Sequence, residues 1–281
     1  MIEIADANLL VFSHSTKKLL NLYKDRNNRK MIREETVFGP IHSRRLGSSL
    51  GINLLPRKGK ICTFDCIYCE CGWNKDGRED QVMPTAAEVR SALEDKLAAC
   101  MLEGTPIDSI TFSGDGEPTL NPEFPRIIDD TLRLRDAYYP SAQVSVLSNA
   151  TRVHVPEIAA ALKKVDNPIL KIDAPTDELI AKIDNPAPGY RLDRVIEALR
   201  GFEGDFVLQT MFLRSPDFDS SSPEVLEGWK DIVRDLRPRK IMVYTIDRPT
   251  PAQGLEKFTA ARMRELVQPL IDEGFQIDIR G

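Results

Sequence analysis

No stretch of this chain approaches the roughly eighteen consecutive apolar residues that a membrane-crossing helix needs. The N-terminus also lacks a charged start followed by an apolar block and a small-residue cleavage site, so neither a membrane span nor an export leader is expected, and the cytoplasm is the expected compartment. Cysteine is scarce: there are five, four of them between Cys62 and Cys71, which makes a poor disulfide framework and suits a reducing compartment. No cysteine precedes Cys62. No self-similarity at a period of about 20 to 50 residues and no low-complexity linker is present, which excludes a solenoid and points to one domain with an N-terminal extension.

The 281 residues, 42% hydrophobic, suffice for one barrel-sized α/β domain or two small ones. The net charge of −5 is uneven, +7 over residues 1–60 and −12 over the rest. A basic segment above an acidic body can meet an anionic substrate, but an acidic body is not the footprint of an RNA binder. Residues 16–33 read as a charged helix packing through Leu19, Leu20, Leu22 and Tyr23. From Lys60 onward, short β-branched runs near 59–62, 107–113, 143–148, 168–173, 205–213 and 239–246 alternate with helical patterns, the order that builds a parallel sheet with helices outside. Residues 275–279 offer a last edge strand. Thr85 and Glu88 are spaced as a capping box, and Asn121-Pro122 and Ser222-Pro223 read as helix starts. Cys100 shares the apolar face of Val89, Leu93 and Leu97 and is expected to be a buried small hydrophobe.

The chemistry concentrates in Cys62-Thr-Phe-Asp-Cys66-Ile-Tyr-Cys69. Three thiolates can hold three irons of a [4Fe–4S] cluster and leave the fourth open, whereas an electron-transfer ferredoxin normally supplies four. A zinc site or redox dithiol is the alternative, but structural zinc wants four closed ligands, and Cys71 follows Cys69 too closely to complete one tetrahedron well. In a parallel barrel, polar residues at the C-terminal strand ends line the site. Those ends carry Ser-Gly114-Asp115-Gly116-Glu117-Pro118, then Ser148-Asn149, then Lys171 and Asp173 two apart on one strand face. Gln209 or Thr210 follows, one of which must look inward, and then Arg248, a candidate anchor for an anion. The glycines of 114–118 do not make a Gly-x-Gly-x-x-Gly dinucleotide fingerprint, because Thr119 occupies the third glycine position.

The cysteine spacing, with Tyr68 before the last cysteine, resembles the radical S-adenosylmethionine superfamily. The Gly-Pro-x-x-Ser-Arg-Arg-Leu-Gly block within residues 38–56 is similar to its small "Fe–S oxidoreductase" group, related to the wybutosine-synthesising tRNA enzymes. The resemblance implies an α/β partial (β/α)6 TIM-type barrel over residues 38–281 behind an extension at 1–37. It further implies a [4Fe–4S] cluster on Cys62, Cys66 and Cys69, and S-adenosylmethionine chelating the open iron and cleaved to a 5′-deoxyadenosyl radical. Tyr68, Gly114 to Pro118, Ser148, Asn149 and Gln209 or Thr210 would then contact the cofactor, and Lys171, Asp173 and Arg248 the cofactor or substrate. An external electron donor such as flavodoxin or ferredoxin is implied as well. Arg44 and Arg45 could hold a substrate carboxylate or phosphate. Asp184-Asn185 breaks the Ile-Asn-x-Pro pattern of the subgroup. The acidic body and the lack of any earlier cysteine for a second cluster count against tRNA, leaving a small-molecule, peptide or protein substrate open beside it. A non-catalytic metal-binding or redox-sensing loop is the competing class.

Overall fold

The computed structural model describes residues 35–43, 46–57, 59–77 and 80–281. The expected helix over 16–33, and Arg44 and Arg45, lie outside the described residues. One eight-stranded sheet dominates. Strands β1 (Val37–Ser43) and β2 (Gly47–Ile52) form an antiparallel pair. Next come β3 (Ser109–Phe112), β4 (Gln143–Ser148), β5 (Asn167–Lys171) and β6 (Val207–Met211). Two short strands, β7 (Leu213–Ser215) and β8 (Phe218–Asp219), precede β9 (Lys240–Tyr244), β10 (Glu256–Lys257) and β11 (Ile277–Arg280). The main order is β1-β2-β3-β4-β5-β6-β9-β11, and from β2 onward every neighbouring pair is parallel. The sheet curls into a partial barrel. Strands β7, β8 and β10 form a small separate sheet.

The connections carry helices α1 (Ala86–Leu102), α2 (Phe124–Tyr138), α3 (Pro156–Leu162), α4 (Asp177–Ile183), α5 (Leu192–Arg200), α6 (Pro223–Leu236) and α7 (Ala260–Asp272). Strand parity decides which side chains meet them. Leu50 and Ile52, Ile110 and Phe112, Val144 and Val146, Leu170 and Ile172, and Ile241 and Val243 are buried in one apolar layer with Val89, Leu93, Leu97, Ile127, Ile128 and Val233. The alternate positions turn inward. There Ser49, Ser109, Thr111 and Ser145 link hydroxyls at 2.8 to 3.3 Å, while Ile169, Val207 and Met242 form a small apolar cluster. Cys100 lies in the outer core as expected.

Two expectations need correction. The first parallel strand is β2, not residues 59–62, whose Ile61 makes only an isolated bridge to Gly116. The sequence reads as strand-like only from Leu50 to Leu55, after glycine punctuation; β2 starts earlier, at Gly47, and Gly51 is needed in it, because a side chain would meet the Phe38 ring of β1 at 2.1 Å. With the edge strand expected at 275–279 found as β11, the parallel strands number seven among the described residues. Helix α2 begins at Phe124 with Pro125 in its first turn rather than at Pro122; Asn121 instead accepts a hydrogen bond from the Glu123 amide. The Thr85–Glu88 capping box is present in both directions, and Ser222 caps α6 by position without a side-chain bond.

Candidate active site

The loop from Cys62 to Cys69 is laced to the strand ends by its backbone. Ile61 donates to the Asp115 carbonyl at 3.1 Å and accepts from the Glu117 amide at 3.1 Å. Asp65 and Ile67 donate to Asp184 and Ile183 at 2.9 and 3.0 Å, and Ala187 donates to Thr63 at 2.7 Å. The two glycines after β3 lie close against other parts of the chain. A Cβ on Gly116, whose φ is +138°, would sit 1.9 Å from the Ile61 carbonyl, and one on Gly114 2.1 Å from the Asn53 side chain. Gly116→Ala should therefore push the cysteine loop off β3 and destabilise the fold by about 1–3 kcal/mol in urea unfolding; an unchanged midpoint would show that the contact is slack.

Each sulfur has a distinct neighbour. Cys62 Sγ receives the Phe64 amide at 3.4 Å and the Asn149 amide nitrogen at 3.5 Å. Cys66 Sγ lies 3.4 Å from Lys171 Nζ. Cys69 is paired with Cys71 and lies in the field of Lys60. Burial, aided by the Glu117 charge, pushes the Cys62 thiol up to about 12, and burial likewise raises Cys66 well above the ordinary thiol value against the pull of Lys171. Cys69 is lowered to about 6, because a hydrogen bond from Cys71, with Lys60 nearby, outweighs its burial. Lys60 is buried, with Nζ 3.1 Å from Asp65 Oδ1 and 2.9 Å from the Gly72 carbonyl. Burial alone would lower its pKa, but the charges of Cys69, Cys62 and Cys66 raise it. Two buried ammonium groups, Lys60 and Lys171, thus stand against three thiols.

Glu117 is 2% exposed and binds inward. Its Oε1 accepts from the Thr119 amide at 3.2 Å, the Thr119 hydroxyl at 2.6 Å and Ser148 Oγ at 2.8 Å; Oε2 accepts from the Asn149 amide at 2.7 Å. Burial raises its pKa against these donors. The carboxylate thereby clasps the end of β4 to the end of β3. Asn149 also donates to Thr63 Oγ1 at 2.8 Å and so serves the cysteine loop directly, while Ser148 binds Glu117. Asp115 is fully buried and accepts from Asn53 at 3.2 Å, and Pro118 is buried beside it.

Lys171 and Asp173 face inward as expected, with Leu170 and Ile172 outward. Lys171 Nζ is 3.1 Å from Asp173 Oδ2, forms a shorter ion pair with Asp184, and lies 4.7 and 5.2 Å from the ring centres of Phe64 and Tyr68. The Tyr68 hydroxyl donates to Asp173. Burial raises Asp173 to about 7, opposed by Lys171; Lys171 is itself raised, the two carboxylates overriding its burial. Asp184, in the sequence only a departure from a pattern, is a buried member of this group, and its Oδ2 has no hydrogen-bond partner among the described residues.

Gln209 and Thr210 separate cleanly. Thr210 is not a pocket residue: its hydroxyl donates to the Ile172 carbonyl at 2.8 Å and accepts from Trp229 Nε1 at 3.0 Å, on the helix side of the sheet. Gln209 faces a cavity of about 240 Å³ bounded also by Tyr68, Cys69, Met211, Tyr244 and Arg248, and its buried Nε2 has no partner among the described residues. Arg248 lies at the rim, 2.7 Å from Glu70. Among the described residues no three Cys, His, Asp or Glu side chains close around a single metal ion. A cubane needs its ligands apart, one per iron. Three sulfurs on one loop, two buried cations and an unpartnered amide beside Cys69 fit a [4Fe–4S] cluster with an organic ligand next to it.

The Radical SAM superfamily model matches residues 57–204, over half of the chain, from the cysteine loop through Asp184. A Brachyspira hyodysenteriae protein named GTPase Obg is 30% identical over 84% of this chain, and the chain spans about a third of that relative, 33%. A radical SAM methyltransferase from Sphaerobacter thermophilus superposes with a TM-score of 0.62 at 18% identity, covering 83% of this chain and 65% of that one. The structure titled TYW1 with a lysine-pyruvate adduct bound gives 0.57 at 12% identity, covering 81% of this chain and 74% of that one. The partial barrel is thus a shared fold, and on the match across its cysteine loop and strand ends the chain belongs to the Radical SAM superfamily.

Proposed function

We propose that the chain is a radical S-adenosylmethionine enzyme in which Cys62, Cys66 and Cys69 hold a [4Fe–4S] cluster through three of its irons. The observation that carries this reading is the cavity beside Cys69, with the inward Gln209 amide unpartnered at its wall. When bound, cluster and S-adenosylmethionine together supply a 5′-deoxyadenosyl radical for hydrogen abstraction. The chain's own residues bind and orient. Gln209 and Tyr68 line the S-adenosylmethionine pocket. Asn149 fixes Cys62, Glu117 holds Asn149 and Ser148 in place, and the Gly114 to Pro118 turn anchors the loop. Lys171 and Asp173 hold the Cys66 side of the loop and act as positioning groups. Arg248, at the cavity rim, is the anchor for an anionic small-molecule or peptide substrate. The barrel comprises residues 38–281 and the extension 1–37, in a cytoplasmic setting where a flavodoxin or ferredoxin supplies the electron. Among the described residues no helix is long and apolar enough to cross a membrane.

Anaerobic reconstitution tests the reading against the non-catalytic alternative. Expected are about four irons per chain and release of 5′-deoxyadenosine when the reduced protein is given S-adenosylmethionine. Zinc uptake without iron, or iron without nucleoside release, would sink it.

A further inference from the structure

A second concavity, of about 380 Å³, lies on another side of the cysteine loop and shares no lining residue with the cavity beside Cys69. Its walls include Thr63, Thr151, Arg152, His154, Tyr190 and Arg194. Among the described residues the side chains of Arg152 and Arg194 make no ion pair, and the buried Nε of Arg152 has no hydrogen-bond partner. A guanidinium cannot shed its proton, so this donor calls for an acceptor. Arg191, also in the wall, is balanced by Asp177 at 3.0 Å and Asp193 at 3.1 Å, carboxylates that are not themselves in the wall. The first turn of α5 lines the cleft through Arg194 and Val195, adding the positive end of a helix. The floor is firm: Thr63 Oγ1 and Thr151 Oγ1 are 2.7 Å apart, and Tyr190 packs edge-on against Phe64 at 5.3 Å.

This basic concavity belongs to a part of the chain that carries a net −12. Its volume falls in the range of small-ligand sites. We infer that the cleft between Arg152 and Arg194 is a binding site for the phosphate group of a small molecule. Forked guanidinium donors suit the tetrahedral oxygens, Thr63 and Thr151 offer hydroxyls, and the Tyr190 ring gives an apolar wall for the rest of the ligand. Because Thr63 directly follows Cys62, a ligand here would touch the cysteine loop from outside. The inference does not depend on the cavity beside Cys69 being the cofactor pocket.

Isothermal titration of the full, reconstituted chain with pyrophosphate, at ionic strength held constant with chloride, provides the test. The expected result is one saturable site per chain. Arg194→Glu, an exposed substitution that spares the fold, and Arg152→Gln should each weaken it by roughly tenfold or more, with iron content and the far-ultraviolet spectrum unchanged. Absence of saturable binding, or equal affinity in both variants, overturns the assignment. Displacement of pyrophosphate by bulk tRNA at far lower phosphate concentration would move the site to nucleic acid and overturn the small-molecule reading; failure of tRNA to compete supports it.

Discussion

Replacing Lys171 by methionine should lower the unfolding free energy by about 3–5 kcal/mol, because it leaves two buried carboxylates facing each other with no cation between them. The side chains of Asp173 and Asp184 are fully buried, and that of Lys171 is 9% exposed, so water screens the trio little. Burial is the main reason Asp173 is raised, with the Asp184 charge adding to it against the pull of Lys171, and among the described residues one oxygen of Asp184 goes without a donor. Asp184→Asn alone should accordingly cost little, and the double variant Lys171→Met, Asp184→Asn should regain part of what the single change loses. Urea midpoints by circular dichroism measure all three. A loss below about 1 kcal/mol for Lys171→Met would mean that the ammonium is better hydrated than its surroundings indicate.

The same trio sets a pH dependence. Asp173 rises from the ordinary value of 3.8 to about 7 in the fold, so the native state holds a proton that the unfolded chain releases. Its contribution is fully present below about 4 and is lost as pH climbs through about 7. Asp173→Asn should flatten the stability profile between those limits in urea titrations at stepped pH; an unaltered slope would assign the proton elsewhere.

How far the sequence discloses this site follows from what kind of contact each residue makes. Period-two alternation put Lys171 and Asp173 on the inner face, because parity along one strand is a local property. The same rule left Gln209 and Thr210 undecided, since choosing between them needs the register of β6 against β5, where Lys171 stands opposite Gln209. Asp184 and Lys60 lay beyond reach for a different reason. One comes from the turn after α4 and the other from the stretch before the cysteines, and only the folded loop brings them to Cys66 and Cys69. Only the second half of β2 was legible, as a strand-like run from Leu50; glycine and serine signal turns, yet here they are the residues small enough to sit under Phe38 and beside Thr111. The glycines at 114 and 116 were legible as a tight turn, whereas the close approach of Asn53 and the Ile61 carbonyl to them depends on distant parts of the chain.

The decisive contrast lies between Cys66 and Cys71. Cys66→Ala should abolish the visible charge-transfer absorption of the reconstituted protein and reduce 5′-deoxyadenosine release to background, while the barrel stays folded, because Cys66 sits on a loop held by backbone bonds from Asp65 and Ile67 that the substitution leaves in place. Cys71→Ala should keep both iron and nucleoside release. Its Sγ stands 3.8 Å from the Gly114 carbonyl and 3.7 Å from Asp115 Oδ1, and its hydrogen bond to Cys69 is the leading reason that thiol is lowered to about 6. In the iron-free protein, losing that bond should raise the Cys69 pKa and slow its alkylation by iodoacetamide near neutral pH. Once iron is bound the metal itself keeps Cys69 deprotonated, so the effect should vanish on reconstitution. If Cys71→Ala instead strips the iron, Cys71 is a fourth ligand, no iron remains open to S-adenosylmethionine, and the chain is an electron-transfer or sensing protein on a radical SAM barrel.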